Sequence, residues 1–121
     1  MAITKITPVK LADVNTISGG ITFTAATSTT DGFEIPFGGD DYKTLILVQN
    51  TEASDAKGIT VKMGNGIQGV ADLAMDEIAA GSMAGFTLDS GAFKQVSGEH
   101  KGNVIVIPEA ATGKIAVVEL P

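Results

Sequence analysis

The sequence contains no cysteine, no arginine and no tryptophan, and each absence removes a class of function. Without cysteine the chain has no disulfides, no thiolate metal ligands and no thiol nucleophile. Without arginine it lacks the side chain best suited to reading base edges and gripping phosphates. Because the net charge is −6 and there is a single tyrosine, we expect the protein to bind neither nucleic acid nor an anionic membrane surface.

Long hydrophobic runs are also missing. The first ten residues, "MAITKITPVK", lack the apolar segment of a signal peptide, so we expect no secretion signal there. No apolar stretch approaches the ~18 residues that a membrane-spanning helix requires. With 121 residues and no linker-like segment, the chain has the size of one domain.

Glycine and small aliphatic residues dominate what is present. There are 15 glycines, and 44% of residues are hydrophobic although only 5% are aromatic. This composition favours short strands, tight turns and a core of aliphatic side chains. Residues 20–26, "GITFTAA", and 58–64, "GITVKMG", alternate as half-buried strands do. Residues 45–48 are continuously apolar, which predicts a strand covered on both faces or a strand at the centre of a sandwich.

The spacing of these segments predicts an all-β fold. We count about eight strands at roughly ten-residue intervals, including "NVIVIPE" and "GKIAVVEL" near the C-terminus, which is typical of an antiparallel β-sandwich or a jelly-roll-like barrel. We predict an extended N-terminal arm over residues 1–18 and a single sandwich domain over residues 19–121. Residues 27–41 are predicted to be a loop, because Asp31-Gly32 and Gly38-Gly39 are turn-forming pairs.

One glycine motif raises the possibility of nucleotide binding. Gly64, Gly66 and Gly69 have the G-x-G-x-x-G spacing of a dinucleotide-binding turn, and Asp89 lies where a ribose-binding acid could stand. That function requires a helix over residues 70–80, whose N-terminus would hold the pyrophosphate.

The surrounding sequence favours a different interpretation of the motif. It lacks the alternation of strands and helices that a doubly wound fold shows, and residues 72–76 alternate as a strand does. We therefore favour a glycine-rich hairpin in which Gly64, Asn65 and Gly66 adopt positive φ.

The remaining polar clusters give little support to catalysis. Ser97, Glu99 and His100 have the composition of a catalytic triad, but neighbouring loop residues rarely face one another, so a solvated histidine is favoured. The carboxylates at 40–41 and at 72–77 do not have the spacing of a calcium loop. We predict a protein that is not an enzyme and that holds no cofactor and no metal.

Aromatic and aliphatic side chains near the N-terminus are the candidates for partner binding. Phe33 and Phe37 bracket a proline in the predicted loop, where they could form an exposed contact patch or, as we favour, pack over the open end of the sandwich. Together with apolar side chains of the arm they make up the candidate partner-binding residues, namely Ile3, Ile6, Val9, Phe33 and Phe37.

Three passages of the chain carry a resemblance to a known family. They are "YKTLILVQNTEASDAKGITVKMGNG", "DLAMDEIAAGSMAGFTLDSGAFKQVSG" and "GKIAVVELP". From Tyr42 onward the chain resembles small β-sandwich proteins that decorate or cement the outside of tailed-phage capsids. The resemblance implies a strand, and not a helix, within residues 72–80.

The resemblance also implies a function. It leads us to expect a virion structural protein on the capsid exterior, made in the host bacterial cytoplasm. Its partner would be the lattice of the major capsid protein, and it would be a homo-oligomer with a trimer favoured. The N-terminal arm would order on docking and matter more for docking than for folding.

Two other functions stay open from the sequence. A carbohydrate-recognition or host-binding sandwich is one alternative, although such sites favour exposed aromatic residues and only Tyr42 is available. Another head or tail component of a virion is the second, and it differs from the decoration protein only in its location.

Overall fold

The computed structural model describes residues 3–17, 20–38, 40–67 and 71–121. Gly39 of the predicted turn pair and Gly69 of the glycine motif lie outside these ranges, as do residues 1, 2 and 18 of the predicted arm. In chain order the strands are β1 (Thr4–Lys5), β2 (Val9–Lys10), β3 (Thr24–Ala25), β4 (Phe33–Pro36), β5 (Thr44–Asn50), β6 (Ile59–Val61), β7 (Leu73–Ala74), β8 (Met83–Phe86), β9 (Asn103–Pro108) and β10 (Gly113–Glu119).

The strands form two sheets that pack against each other. The first sheet has the order β1-β4-β9-β6-β7, and the second has the order β2-β10-β5-β8 with β3 also paired to β10. All pairs are antiparallel except β1 with β4 and β2 with β10, which are parallel. The predicted all-β sandwich is confirmed, with ten described strands in place of about eight and with mixed sheets.

The core lies between the sheets and is built by side-chain alternation. Along β5 the inward residues from Thr44 to Asn50 are buried, whereas Leu45 and Leu47 on the outer face are half-buried. Aliphatic side chains from both sheets meet at the centre. The buried core residues are Ile6, Phe33, Ile35, Phe37, Ile46, Val48, Ile59, Val61, Ile78, Leu88, Val104, Val106, Ile115 and Val117.

The N-terminal segment is extended, as predicted, but it is not an arm separate from the sandwich. Thr4–Lys5 pairs with β4 in the first sheet, and Val9–Lys10 pairs with β10 in the second. Between them Ile6 is only 7% exposed and belongs to the core. Because residues 4–10 contribute to both sheets, the predicted boundary at residue 18 falls too late. Within this segment, residues 12–17 are the stretch with exposed side chains.

The predicted loop at residues 27–41 contains a central strand of the first sheet. Phe33–Pro36 forms β4, which lies between β1 and β9. Phe33 and Phe37 are each 1% exposed, so they pack in the core and present no surface to a partner. Their assignment as partner-binding residues, and that of Ile6, is corrected by this burial.

The glycine-rich segment is a hairpin loop, as favoured from the sequence. Strands β6 and β7 pair antiparallel on its two sides, with Val61 opposite Leu73, and residues 71–80 contain no helix. The predicted positive φ is wrong for Gly64, Asn65 and Gly66. Glycine is needed at position 64 for a different reason, since a Cβ there would lie 2.4 Å from the carbonyl oxygen of Lys94.

Helical structure is confined to two short pieces in the described part of the chain. A 3₁₀ turn spans Asp41–Lys43, and helix α1 spans Ser90–Phe93. Asp89 caps α1 by accepting a hydrogen bond from the Gly91 amide at 2.9 Å. Neither piece has the length or apolar composition needed to cross a membrane.

Candidate functional site

Large apolar side chains are exposed together at one end of the sandwich. Tyr42 is 90% exposed and Ile67 fully so, and three further side chains there are exposed to a lesser degree. We call this surface the apolar end, and it comprises Tyr42, Met63, Ile67, Val96 and Leu120.

Strand direction explains how half of the apolar end is assembled. β5 begins and β10 ends at the same end of the second sheet, because Thr44 is paired with Glu119. The Leu120 amide then donates to the Lys43 carbonyl at 2.7 Å, which places Leu120 next to the 3₁₀ turn carrying Tyr42.

Helix α1 connects this turn to the corresponding end of the first sheet. The Asp41 carboxylate accepts hydrogen bonds from the amide and hydroxyl of Ser90 at 3.0 and 3.1 Å. On the other side of α1, the Gly64 amide donates to the Ala92 carbonyl at 2.9 Å.

Asn65 holds the loop after β6 against the segment after α1. Its side chain accepts from the Val96 amide at 2.7 Å and donates to the Ser97 carbonyl at 3.0 Å. The Gln95 side chain adds a bond to the Met63 carbonyl at 3.0 Å. These hydrogen bonds hold the loop after β6 against the segment after α1, and the apolar side chains of both segments are exposed to solvent.

A second candidate surface is a cleft on the outer face of the first sheet. It has a volume of about 530 Å³ and a lining that is both apolar and polar. The apolar lining residues are Ile3, Ile105 and Ile107, and the polar ones include Lys5, Lys62 and His100.

Beside this cleft the carboxylate of Glu34 is held in a buried polar cluster. Glu34 lies in β4 opposite Lys5 of β1 and is 3% exposed. One carboxylate oxygen, Oε2, receives His100 Nδ1 at 2.9 Å and also the side-chain amide of Asn103. The second oxygen, Oε1, is buried and has no hydrogen-bond partner within the described residues.

The environment keeps Glu34 ionised. Burial raises the pKa of Glu34, but the hydrogen bonds from Asn103 and His100, with the charges of His100 and Lys5, outweigh it. The pKa of Glu34 is therefore lowered from its ordinary value of 4.5. Because an ionised carboxylate can only accept, Nδ1 of His100 carries the proton in this contact.

The three residues that had the composition of a triad do not form one, because Ser97 bonds to Asn65 and not to His100. His100 contacts Glu34 and, through Nε2, Glu99 at 3.5 Å. Ser97 instead accepts from Asn65 through its hydroxyl and carbonyl oxygens. The half-buried histidine is thus a structural partner of a buried carboxylate, and the interpretation of it as a solvated loop residue is corrected.

The acidic clusters seen in the sequence serve local structure. Asp41 holds the first turn of α1 through its contacts with Ser90. Asp72 accepts from the Met63 amide and from Lys62 Nζ, each at 2.9 Å, and these two contacts lower the pKa of Asp72 in that order of importance. In the described ranges, no three acidic or histidine side chains are placed to hold a metal ion together.

Two predicted partner-binding residues keep some surface. Ile3 lines the cleft on the first sheet and Val9 is half-buried in β2. Partner binding by these two stays a prediction. The apolar end was missed by sequence reasoning because its members are isolated in the chain and carry no periodic signal.

No protein-family model, no curated protein and no solved structure matches this chain. Its function is therefore inferred from its exposed surfaces and from the resemblance that its sequence carries.

Proposed function

We propose that this protein is a non-enzymatic virion component that binds the outside of a tailed-phage capsid and stabilises the shell. The observation that carries the proposal is the apolar end, where five large hydrophobic side chains are exposed at the same end of the sandwich. Groups of exposed apolar side chains mark surfaces that contact another macromolecule. The choice of a capsid lattice as that macromolecule comes from the resemblance.

The geometry of the apolar end suits docking onto a preformed surface. Its side chains come from loops fixed by Asn65, Asp41 and Gln95, so little conformational freedom is lost on binding. A protein that binds only the assembled shell stabilises that shell by mass action. Stabilisation therefore requires tight binding at the lattice and no chemistry.

Cosedimentation with capsids that lack the protein tests this proposal. We expect saturable binding of the wild type and a higher temperature for capsid disruption once sites are filled. Replacing both Tyr42 and Ile67 by serine removes two large exposed apolar side chains without disturbing the core. Binding should weaken at least tenfold, because each anchor of this kind contributes roughly 1 kcal/mol or more.

A matched control uses an exposed isoleucine that is not among the five residues of the apolar end. Ile21 lies before β3, the strand whose residues Thr24 and Ala25 pair with Ile115 and Lys114. Ile21→Ser should bind as the wild type does. The proposal is rejected if no capsid binds the protein saturably, or if the double variant and the control bind equally to a capsid that does.

One observation favours a second candidate function, recognition of a carbohydrate. Tyr42 lines a recess of about 260 Å³ with Asp41, Thr87 and Asp89, which combines an exposed aromatic ring with hydrogen-bonding groups. Sugars bind to such combinations through stacking and hydroxyl contacts. A glycan array decides this candidate: Tyr42-dependent binding to one glycan class would support it, and uniform absence of binding would reject it.

A further inference from the structure

We propose that two copies of this chain associate through β8, edge to edge and antiparallel, so that their second sheets join into one continuous sheet. The inference stands apart from the proposed capsid role, since it concerns the protein alone in solution.

The first support is that one side of β8 is open. β8 is the last strand of its sheet, and its inner side pairs with β5, with Val48 opposite Ala84 and Leu47 opposite Gly85. On its other side no strand is paired to it in the part of the chain that the structure describes. Met83, Ala84 and Gly85 are exposed. A strand edge of this kind offers backbone donors and acceptors to another strand.

The second support is that β8 lacks the features that protect other edges. β1 and β2 carry Lys5 and Lys10, and β7 is two residues long and stands between Asp72 and Asp76. Residues 79–88, which contain β8, have no charged residue and no proline. Lysine, shortness and flanking charge are the usual devices against edge pairing, and β8 has four residues and none of these charges.

The third support is that the outer face of the second sheet is apolar and continues to β8. Leu45 lies opposite Val118, and Leu47 lies between Ala116 on one side and Gly85 on the other. Ala116 and Val118 are already buried within the chain, whereas Leu45 and Leu47 are half-buried and Gly85 is exposed, so this face opens towards β8. Strands that are apolar on both faces are typical of sheets covered on both faces. Pairing two β8 strands extends this apolar row across the junction and shields the exposed side chain of Met83.

Symmetry and the absence of repulsion favour a second copy as the occupant. With a net charge of −6, two copies repel one another wherever their carboxylates meet. The strand positions of this region are free of carboxylates, both along β8 and at the outward positions 45, 47, 49, 114, 116 and 118. Identical edges that meet each other do so about a two-fold axis, and antiparallel pairing satisfies that symmetry.

The molar mass of the wild type in solution is the first test. Sedimentation equilibrium over a range of concentrations should show a monomer–dimer equilibrium. A protein that stays monomeric throughout overturns the proposal. A trimer also overturns it, because a two-fold junction of β8 strands cannot close a trimer, and would favour the trimer that the resemblance implies.

Engineered cysteines locate the junction, and the natural chain has no cysteine to interfere. Ala84→Cys places a thiol near the proposed axis, so mild oxidation should link two copies into a disulfide-bonded dimer. Leu73→Cys, on the edge strand β7 of the other sheet, is the matched control and should stay monomeric under denaturing conditions. Equal cross-linking of the two variants would contradict the proposed junction.

A charge placed on the edge tests the energetics. Met83 is 57% exposed, so Met83→Lys should leave the fold intact and raise the dimer dissociation constant about tenfold or more. Leu73→Lys should leave that constant unchanged. Circular dichroism establishes folding, and if Met83→Lys fails to fold, the cysteine pair decides the question. All these measurements omit capsids, so their failure is distinct from failure of the proposed function.

Discussion

Glu34 and His100 lie 66 residues apart in the sequence and 2.9 Å apart in the structure, with the carboxylate almost wholly buried. Their contact fastens the turn that precedes β9 to the centre of the first sheet. The side-chain amide of Asn103 binds the same carboxylate oxygen, so three parts of the chain depend on one negative charge.

The lowered pKa of Glu34 predicts a specific loss of stability in acid. A carboxyl whose folded pKa lies below its unfolded pKa stabilises the fold above the unfolded value, and the contribution disappears as pH falls through the folded value. Glu34→Gln should lower the free energy of unfolding at pH 7 by roughly 1–3 kcal/mol, as for hydrogen bonds to charged groups. The deficit should shrink as pH falls below the ordinary pKa of 4.5. Urea denaturation at several pH values measures it.

Glu99 provides the control for that experiment. It also contacts His100, at 3.5 Å, but its side chain is 86% exposed. Glu99→Gln should change the free energy of unfolding by no more than about 0.5 kcal/mol, both at pH 7 and in acid. An acid dependence that is the same in the wild type and in Glu34→Gln would disprove the role assigned to the buried carboxylate.

The N-terminal segment should matter for folding, whereas the sequence led us to expect that it matters more for docking than for folding. Ile6 packs in the core between the two short strands that join opposite sheets. Ile6→Ala should lower the free energy of unfolding by roughly 2–4 kcal/mol, because a large buried side chain is truncated. Ile17→Ala, at a side chain that is 97% exposed, should change it by less than about 0.5 kcal/mol. If chemical denaturation shows equal effects of the two substitutions, the N-terminal segment is an arm that does not contribute to the stability of the sandwich.

The central strands of the sandwich were predictable because their sequences carry the signal themselves. β5, β9 and β10 are rich in β-branched and aliphatic residues over six or seven positions, which few other structures accommodate. β4 was missed because its four residues end in Pro36 and follow the turn-forming Gly32. The alternation of Phe33, Ile35 and Phe37 was the available signal, and the turn residues on both sides outweighed it.

The candidate surfaces depend on contacts that no local pattern encodes. Tyr42 and Ile67 reach the same end of the molecule only through α1 and the hydrogen bonds of Asn65. Met63 and Met83 have apolar side chains of the kind that fills cores. Both are nevertheless exposed, Met63 in the loop after β6 and Met83 in the edge strand β8. Tertiary packing decides these positions, so a single sequence could not supply them.

Asn50→Asp should destabilise the fold, because it keeps the shape of the side chain but removes the two N–H donors of its amide. Its amide donates to the Ile78 and Asp55 carbonyls at 2.8 and 3.0 Å, and its oxygen accepts from the Glu52 amide at 3.0 Å. In Asn50→Asp an ionised carboxylate would face two carbonyl oxygens in a buried site, at a cost of about 3 kcal/mol or more. Burial and these oxygens would raise the new carboxyl's pKa, so the variant should be least destabilised in acid. Urea denaturation at several pH values measures this, and a pH-independent difference from the wild type would contradict the account.

A position can require glycine because its φ is positive or because another atom lies too close for a Cβ. Gly32 and Gly81 allow the two effects to be measured separately. Both have positive φ, at 72° and 73°, but a Cβ at Gly32 would lie 2.3 Å from the Val106 carbonyl oxygen, whereas none of the atoms around Gly81 comes within 4 Å of such a Cβ. Gly81→Ala should therefore cost only the backbone strain, about 1 kcal/mol. Gly32→Ala should cost roughly 3 kcal/mol or more, because β9 must also move away from the turn that leads into β4. Urea denaturation of the two variants measures the difference, and equal costs would show that this close approach has no energetic weight.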